Sequence, residues 1–366
     1  MTEPPDHTDD PLEVAWFSAL CDDDYRWLGV PDPALRSSFD HCADLVTTAD
    51  RCGYDSILLP SGYELGIDSV AFAGGVAALA RRIRLLVAVR CGEMWPPQLA
   101  RQLATLDHLL TSAGGAQRLL INIISSDLPG APLDSAPRYE RTREVMTILR
   151  ELLAGRPVDH HGEHYDLTVE PPRIAVETAA ARGGVAPPLY FGGISPDARD
   201  VAASHADVFL MWPDTMDAVA SVLDDMRDRA AGYGRTLRFG YRVHVVVRET
   251  EQEARAAAFD LVSKLEPAEG EVIRRRSLDS GSVGVTRQAE LRDAADDDGF
   301  VEDHLWTGIG RARSGCGAAV VGDPDQVLAK LRAYRELGIS SFILSGYPHR
   351  DECELFSRYV LDELRS

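Results

Sequence analysis

No two of the six cysteines (Cys21, Cys42, Cys52, Cys91, Cys316 and Cys353) stand in the CxxC spacing of a zinc site or a dithiol motif. That excludes an obvious disulfide scaffold and points to a reduced, cytoplasmic protein. Positive charge is also scarce, with 38 Lys and Arg against 58 Asp and Glu, a net charge of −20. Nucleic acid and anionic membranes attract a basic footprint, so neither is an expected partner. No apolar run approaches the length that crosses a bilayer. Residues 1–11 are acidic and proline-rich, without the basic and apolar parts of a signal peptide, and residues 1–12 read as a flexible tail.

What is present is an alternation. The chain has 366 residues, 45% of them hydrophobic, enough for one large α/β domain or two smaller ones. Eight short stretches read as strands: residues 14–20, 56–60, 85–89, 119–124, 189–193, 207–212, 237–250 and 341–345. Helical spacing fills the intervals at 36–52, 69–80, 97–110, 139–153, 196–204, 216–231 and 251–265, with further helices at 324–337 and 352–364. The expectation is a (β/α)8 TIM barrel over residues 13–366, with a doubly wound open sheet as the main rival. Two insertions interrupt the count, about 155–187 and about 267–322. Connections this long are often lids or mobile loops. The second carries Arg274, Arg275, Arg276, Gly281 and Gly284; its arginines read first as a solvated charge run, and otherwise as a group that closes over an anion.

The seventh strand is chemically unusual. Alternation puts Gly240, Arg242, His244 and Val246 on one face and Tyr241, Val243 and Val245 on the other. Burying an Arg without a partner is costly, so this face should look into a polar site, unless the strand lies at a sheet edge with its polar side in water. In a barrel the chemistry sits at the carboxyl ends of the strands. There the sequence delivers Cys21 and Asp22, Arg90 and Cys91, Asn122 and Ser125, Trp212, the Arg242/His244 pair, and Ser345-Gly346-Tyr347-Pro348-His349. The turn Gly192-Gly193-Ile194-Ser195-Pro196 combines close backbone approach, an N-cap and an N1 proline, which suits a phosphate as well as an ordinary turn. His160-His161-Gly162-Glu163-His164 reads as the cap of a β-excursion rather than a metal site. Cys316 beside Arg313 reads as a small loop residue.

Several of these segments resemble the bacterial alkanesulfonate monooxygenases of the luciferase-like family of flavin-dependent enzymes. They are Trp212, the Arg-x-His of the seventh strand, Leu305-Trp306-Thr307-Gly308, Arg313-Ser314-Gly315, Val321-Gly322-Asp323 and Leu344-Ser345-Gly346-Tyr347-Pro348-His349. Shorter matches are Gly53-Tyr54, Ala100-Arg101-Gln102, Arg138-Tyr139-Glu140 and Tyr190-Phe191-Gly192-Gly193. The resemblance implies a (β/α)8 barrel with a long mobile segment before its last strand. It implies reduced FMN delivered by a separate NAD(P)H-dependent flavin reductase, O2 as co-substrate, and a small anionic sulfonate cleaved to aldehyde and sulfite. By matching position, Arg242 and Arg313 would hold the sulfonate or the oxygenated flavin, His244 would exchange protons, Tyr347 would donate one, and Trp212 would wall the pocket. Asn122, Ser125, Tyr139, Gly192, Gly193, Ser195, Ser345 and Gly346 would belong to the flavin site. A homodimer or homotetramer is implied.

Two departures concern the substrate. The sulfonate enzymes carry a Cys in the loop after the second strand; here residues 61–68 have none, and Cys21 stands where the family has His. Both positions flank the substrate, so a larger or more specialised sulfonate, or another substrate class within the family, is open. A non-catalytic flavin- or ligand-binding barrel and a deazaflavin dehydrogenase are the remaining alternatives. Keeping Arg242, His244, Arg313 and Tyr347 together argues against a mere binder.

Overall fold

The computed structural model describes residues 11–62, 66–275 and 282–366. The tail 1–10, the loop residues Tyr63, Glu64 and Leu65, and Arg276 and Gly281 of the second insertion lie outside the described residues. The described chain groups into two compact units, one of residues 16–24 and 31–208, the other of 25–30 and 209–366 with the start of the chain.

The first unit begins in β1 (Glu13–Phe17) and continues through α1 (Phe39–Cys52), β2 (Ser56–Leu59), α2 (Ser69–Val76), β3 (Arg84–Arg90), α3 (Pro96–Gly114), β4 (Leu119–Ile124) and α4 (Ser135–Leu153). Then come β5 (Val158–His161), β6 (Asp166–Val169), α5 (Glu177–Ala181), β7 (Leu189–Gly192) and α6 (Pro196–His205). The second unit holds β8 (Val208–Met211), α7 (Met216–Gly232), β9 (Arg238–Val247), α8 (Glu251–Leu261), α9 (Pro267–Arg275) and α10 (Val283–Asp293). It ends with β10 (Phe300–Glu302), β11 (Leu305–Trp306), β12 (Ala319–Gly322), α11 (Pro324–Glu336), β13 (Ile339–Ser345) and α12 (His349–Phe356).

Strands β1, β2, β3, β4, β7 and β8 are neighbours in that order, β9 pairs with β8, and β13 lies between β9 and β1. Eight strands therefore close on themselves in a (β/α)8 barrel, and the open doubly wound sheet is excluded. The sequence explains the elements locally. β3 and β4 are near-continuous Leu, Ile and Val and are buried almost throughout, as strands covered on both faces must be. Helices start on side chains that cap them: Ser38 for α1, Thr215 for α7, and reciprocal capping boxes at Thr250/Glu253 for α8 and Asp323/Gln326 for α11. Gly53, at φ 88°, closes α1 in the left-handed conformation that a side chain resists.

One expectation needs correction. Residues 319–322 were not among the eight predicted strands, yet β12 pairs in parallel with the carboxyl half of β9, from His244 to Val247. β11 and β10 extend it antiparallel. A four-residue apolar run is too short to be recognised by periodicity, and only the partner strand selects it. The other insertion contains the β5–β6 hairpin, which matches the expected β-excursion.

Candidate functional site

β9 is an interior strand, with β13 on one edge and β12 on the other, so the edge-strand alternative fails. Its polar face is buried: Arg242 is 5% exposed and His244 fully covered. The parallel register places Ser345 of β13 opposite His244, with Ile343 opposite Arg242 and Ser341 opposite Gly240. Ser345 Oγ and His244 Nδ1 accordingly share a hydrogen bond of 2.6 Å. Nε2 of the same ring is buried with no hydrogen bond among the described residues. Burial drives the His244 pKa well below its ordinary value, and Arg242, Arg313 and His349 push it further the same way. The imidazole is therefore neutral at physiological pH.

The segment before β12 packs onto this strand. The amide of His244 donates to the carbonyl of Ala318 at 3.1 Å, and Cys316 Sγ donates to the carbonyl of Arg242 at 3.3 Å. Burial raises the Cys316 thiol, against the opposing pull of Arg242 and Arg313, so it is an inert packing group. Arg313, three residues earlier, donates through Nη1 to Tyr347 Oη at 2.5 Å. Tyr347 in turn stacks on His244, with ring centres 5.2 Å apart and an angle of 25°, and meets His349 edge-on at 5.1 Å. Because Arg313 donates to the phenol oxygen, the phenolic hydrogen is directed elsewhere and remains a donor.

Trp212, which follows β8, is wedged between two glycines. A Cβ on Gly315 would stand 3.0 Å from its ring, and one on Gly284 of α10 would stand 3.1 Å from it. α10 is itself anchored by Arg287, which grips Asp214 through two contacts of 2.7 Å, and by Gln288, which donates to the Pro213 carbonyl and accepts from the Gly317 amide. Arg242, His244, Arg313, Tyr347, Ser345 and Trp212 thus belong to one connected set in the second unit. Gly346 lies at the end of β13, where a Cβ would stand 2.5 Å from Glu352 Cβ and 2.9 Å from the Val245 carbonyl.

The first unit contains the remaining predicted residues. Asn122 lies in β4 and Ser125 just after it; Ser125 Oγ is buried with no hydrogen bond among the described residues. After β7, Gly193 has φ 152°, and a Cβ there would stand 2.6 Å from Ala198 Cβ and 3.6 Å from Tyr139 Oη. Ser195 caps α6 by accepting from the Ala198 amide, and Pro196 occupies its first turn. The turn thus brings Gly192, Gly193, Ser195 and Tyr139 into one neighbourhood. Cys21 is half-buried beyond β1. Arg90 is a fixed strut, bonded to Ser126 Oγ and, at 2.7 Å, to the Ser61 carbonyl. A cavity of about 600 Å³ lies among α2, β3 and α3 and is lined by Arg90, Arg101 and Gln102, but by none of the residues to which the resemblance assigns a role.

His349 stood in the sequence only as the end of the closing Ser345-Gly346-Tyr347-Pro348-His349 segment, and Ser341 was not singled out. His349 is fully buried against Tyr347 and contributes to depressing His244. Ser341 Oγ is buried beside the Gly240 position with no hydrogen bond among the described residues. Among the described residues no cluster of His, Cys, Asp and Glu could hold a metal ion, and no helix is long and apolar enough to cross a membrane.

A closed barrel with a buried cation–imidazole–phenol set describes a class, the flavin-dependent monooxygenases built on (β/α)8 barrels. The chain belongs to the luciferase-like monooxygenase family, whose description matches residues 27–341. It is 61% identical to the sulfoquinovose monooxygenase of Novosphingobium aromaticivorans over 96% of both chains. It is 52% identical to the sulfoquinovose monooxygenase of Agrobacterium fabrum over 98% of this chain and 91% of that one. The solved structure of a long-chain alkane monooxygenase shares the fold at a TM-score of 0.76 and 17% identity, covering 97% of this chain and 91% of that chain.

Proposed function

We propose that this monooxygenase takes reduced FMN from a separate NAD(P)H-dependent reductase and uses O2 to desulfonate sulfoquinovose or a close relative of it. The observation that carries the reading is the buried set on β9, in which Arg242, His244, Arg313 and Tyr347 share one neighbourhood. A sulfonate is a monoanion with three acceptor oxygens, and arginine offers a planar, permanently charged fork of donors. Two guanidiniums beside a covered imidazole form a neighbourhood that suits an anionic ligand. The relatives act on a sulfonate by name. Cys21 and the changed loop at 61–68 agree with a substrate other than a simple alkyl sulfonate.

FMN fits the residues present in the first unit. The bare backbone at Gly193 and the first-turn amides of α6, a helix of 10 residues, suit a phosphate, and the orphaned Ser125 hydroxyl offers a polar contact for a ring system. When bound, reduced FMN supplies the electrons that activate O2. One oxygen atom ends in the aldehyde and the other in water, while the carbon–sulfur bond breaks to release sulfite. Arg242 and Arg313 orient the sulfonate, and Arg313 also holds the Tyr347 oxygen so that its proton can be delivered. Neutral His244, fixed through Nδ1 by Ser345, accepts a proton at Nε2. Trp212, held by α10, excludes water from the pocket.

The test supplies enzymatically reduced FMN and O2 with sulfoquinovose and a series of alkyl sulfonates, and measures sulfite. Sulfite release from sulfoquinovose, lost in Arg242→Ala, is expected. Flavin oxidation with no sulfite from any sulfonate would assign the enzyme to another substrate class.

A further inference from the structure

We propose that Gln288 is a positioning residue for the reaction, its side-chain amide tying the Trp212 wall to the strand that carries Arg242 and His244. Gln288 of α10 is 7% exposed, and both ends of its amide are used. Nε2 donates to the Pro213 carbonyl at 2.7 Å, and Oε1 accepts from the Gly317 amide at 3.1 Å. Pro213 directly follows Trp212. Gly317 stands between Cys316, whose thiol donates to the Arg242 carbonyl, and Ala318, whose carbonyl accepts from the His244 amide. One planar group thus spans the loop after β8 and the segment laid along β9.

Only a carboxamide meets both demands. The Pro213 carbonyl needs a donor and the Gly317 amide an acceptor, at the reach of a single side chain. An ionised carboxylate accepts only, an ammonium donates only, and an aliphatic chain leaves both backbone groups buried and unpaired. Gly317 has little room to answer by moving. Its carbonyl accepts from the Gly310 amide at 2.7 Å, and a Cβ on it would stand 2.9 Å from Gly310 Cα. Burial alone does not fix the indole either, because Trp212 is 36% exposed. Arg287, one residue earlier on α10, grips Asp214, but that partly exposed ion pair engages the loop after β8 and not the Gly317 segment. Loss of the Gln288 bridge therefore frees the indole relative to Arg242 and His244. The pocket then excludes water less well, and less sulfite is released per reduced flavin consumed. That consequence rests on the desulfonation reading; the positioning of Trp212 does not.

The experiment first measures acrylamide quenching of Trp212 in the full chain, taken as the difference between each protein and the same protein carrying Trp212→Phe. Gln288→Met should raise the quenching constant about twofold or more, and Arg287→Met should move it less. With reduced FMN, O2 and sulfoquinovose, Gln288→Met should lower sulfite per flavin oxidised about threefold or more. Gln288→Glu adds a readout that a merely structural role would not move. Its protonated carboxyl offers one O–H donor and one acceptor, the two roles that the amide fills, and its ionised form loses the donor. Burial raises the pKa of such a carboxyl, so quenching and coupling, each relative to the parent at the same pH, should be near-parental at about pH 5 and approach those of Gln288→Met by about pH 9. Circular dichroism establishes folding at each pH. The proposal fails if Gln288→Met leaves Trp212 quenching at the parental value, if Arg287→Met raises it as much, or if Gln288→Glu shows no pH dependence beyond the parent's. Quenching that changes as expected, with no sulfite from any of the proteins, would uphold the positioning and overturn the desulfonation reading instead.

Discussion

Two histidine-bearing strands in this chain look equally suggestive as sequence and turn out to be opposites. In the β5–β6 hairpin, His160 Nε2 meets Glu144 Oε2 at 3.0 Å, and the same carboxylate accepts from the amides of Glu163, His164 and Tyr165 at 2.8–3.0 Å. Burial alone would raise the Glu144 pKa, but these donors outweigh it and hold it below its ordinary value. The motif is closed on itself: the carboxylate is filled by the turn it organises. On β9, by contrast, Arg242 and His244 are as deeply buried, yet burial and the neighbouring cations hold the imidazole in its neutral form. A buried polar cluster whose donors and acceptors match is a strut, and one in which burial and neighbouring cations shift a titratable group is a candidate functional site.

The contrast can be broken at either end. Arg242→Ala should reduce sulfite release by about 10²–10³-fold with flavin binding intact, as expected when a charged donor to the reacting group is lost. A variant that keeps most of its turnover would make β9 a strut like the hairpin. Glu144→Ala should leave turnover per folded molecule unchanged and lower stability by about 3 kcal/mol in urea unfolding, because three amides, that of Tyr165 buried, lose their acceptor. A large loss of kcat there, with stability preserved, would reverse the assignment of the two regions.

Their pH responses should differ in detail as well. Since His244 has a folded pKa depressed far below 6.5, its contribution to stability is present above about pH 6.5 and is lost on acidification, when the unfolded chain takes up a proton the fold refuses. His244→Gln should flatten the acid limb of the unfolding midpoint between about pH 4 and 6.5. The smallest effect expected concerns Glu352, buried beside Arg248 at 2.6 Å. Desolvation raises its pKa from 4.5 to about 6 despite that partner. A raised carboxyl pKa stabilises the fold below pH 4.5 and loses that contribution as pH climbs through 6, about 2 kcal/mol for the shift. Glu352→Gln should remove this slope, which unfolding at pH 4.5 and 7.5 would measure.

Much of this was legible beforehand. Strand β4 at Leu119–Ile124 falls where its apolar run lies, and the Ser195-Pro196 start of α6 follows from capping chemistry. The pair on β9 could be placed on one face by alternation alone. What was not legible has a common cause. Ala319–Gly322 becomes a strand because β9 offers it a hydrogen-bonding edge. Arg313 lies far from Tyr347 in sequence and meets it only through that pairing. Of the arginines read as a solvated run, Arg275 is largely exposed, while Arg274 is directed at the Arg311 carbonyl.

Local rules are enough for the sequence to settle the rhythm of strands and helices, the caps, and which side chains on β9 face the same way, since each depends on a few neighbouring residues. The tertiary structure alone decided whether those side chains were buried or wet, which carbonyl or carboxylate each would find, and that His244 would be neutral. Burial, partner and proton affinity are properties of what surrounds a group, and in this chain the surroundings come from segments about seventy to a hundred residues away.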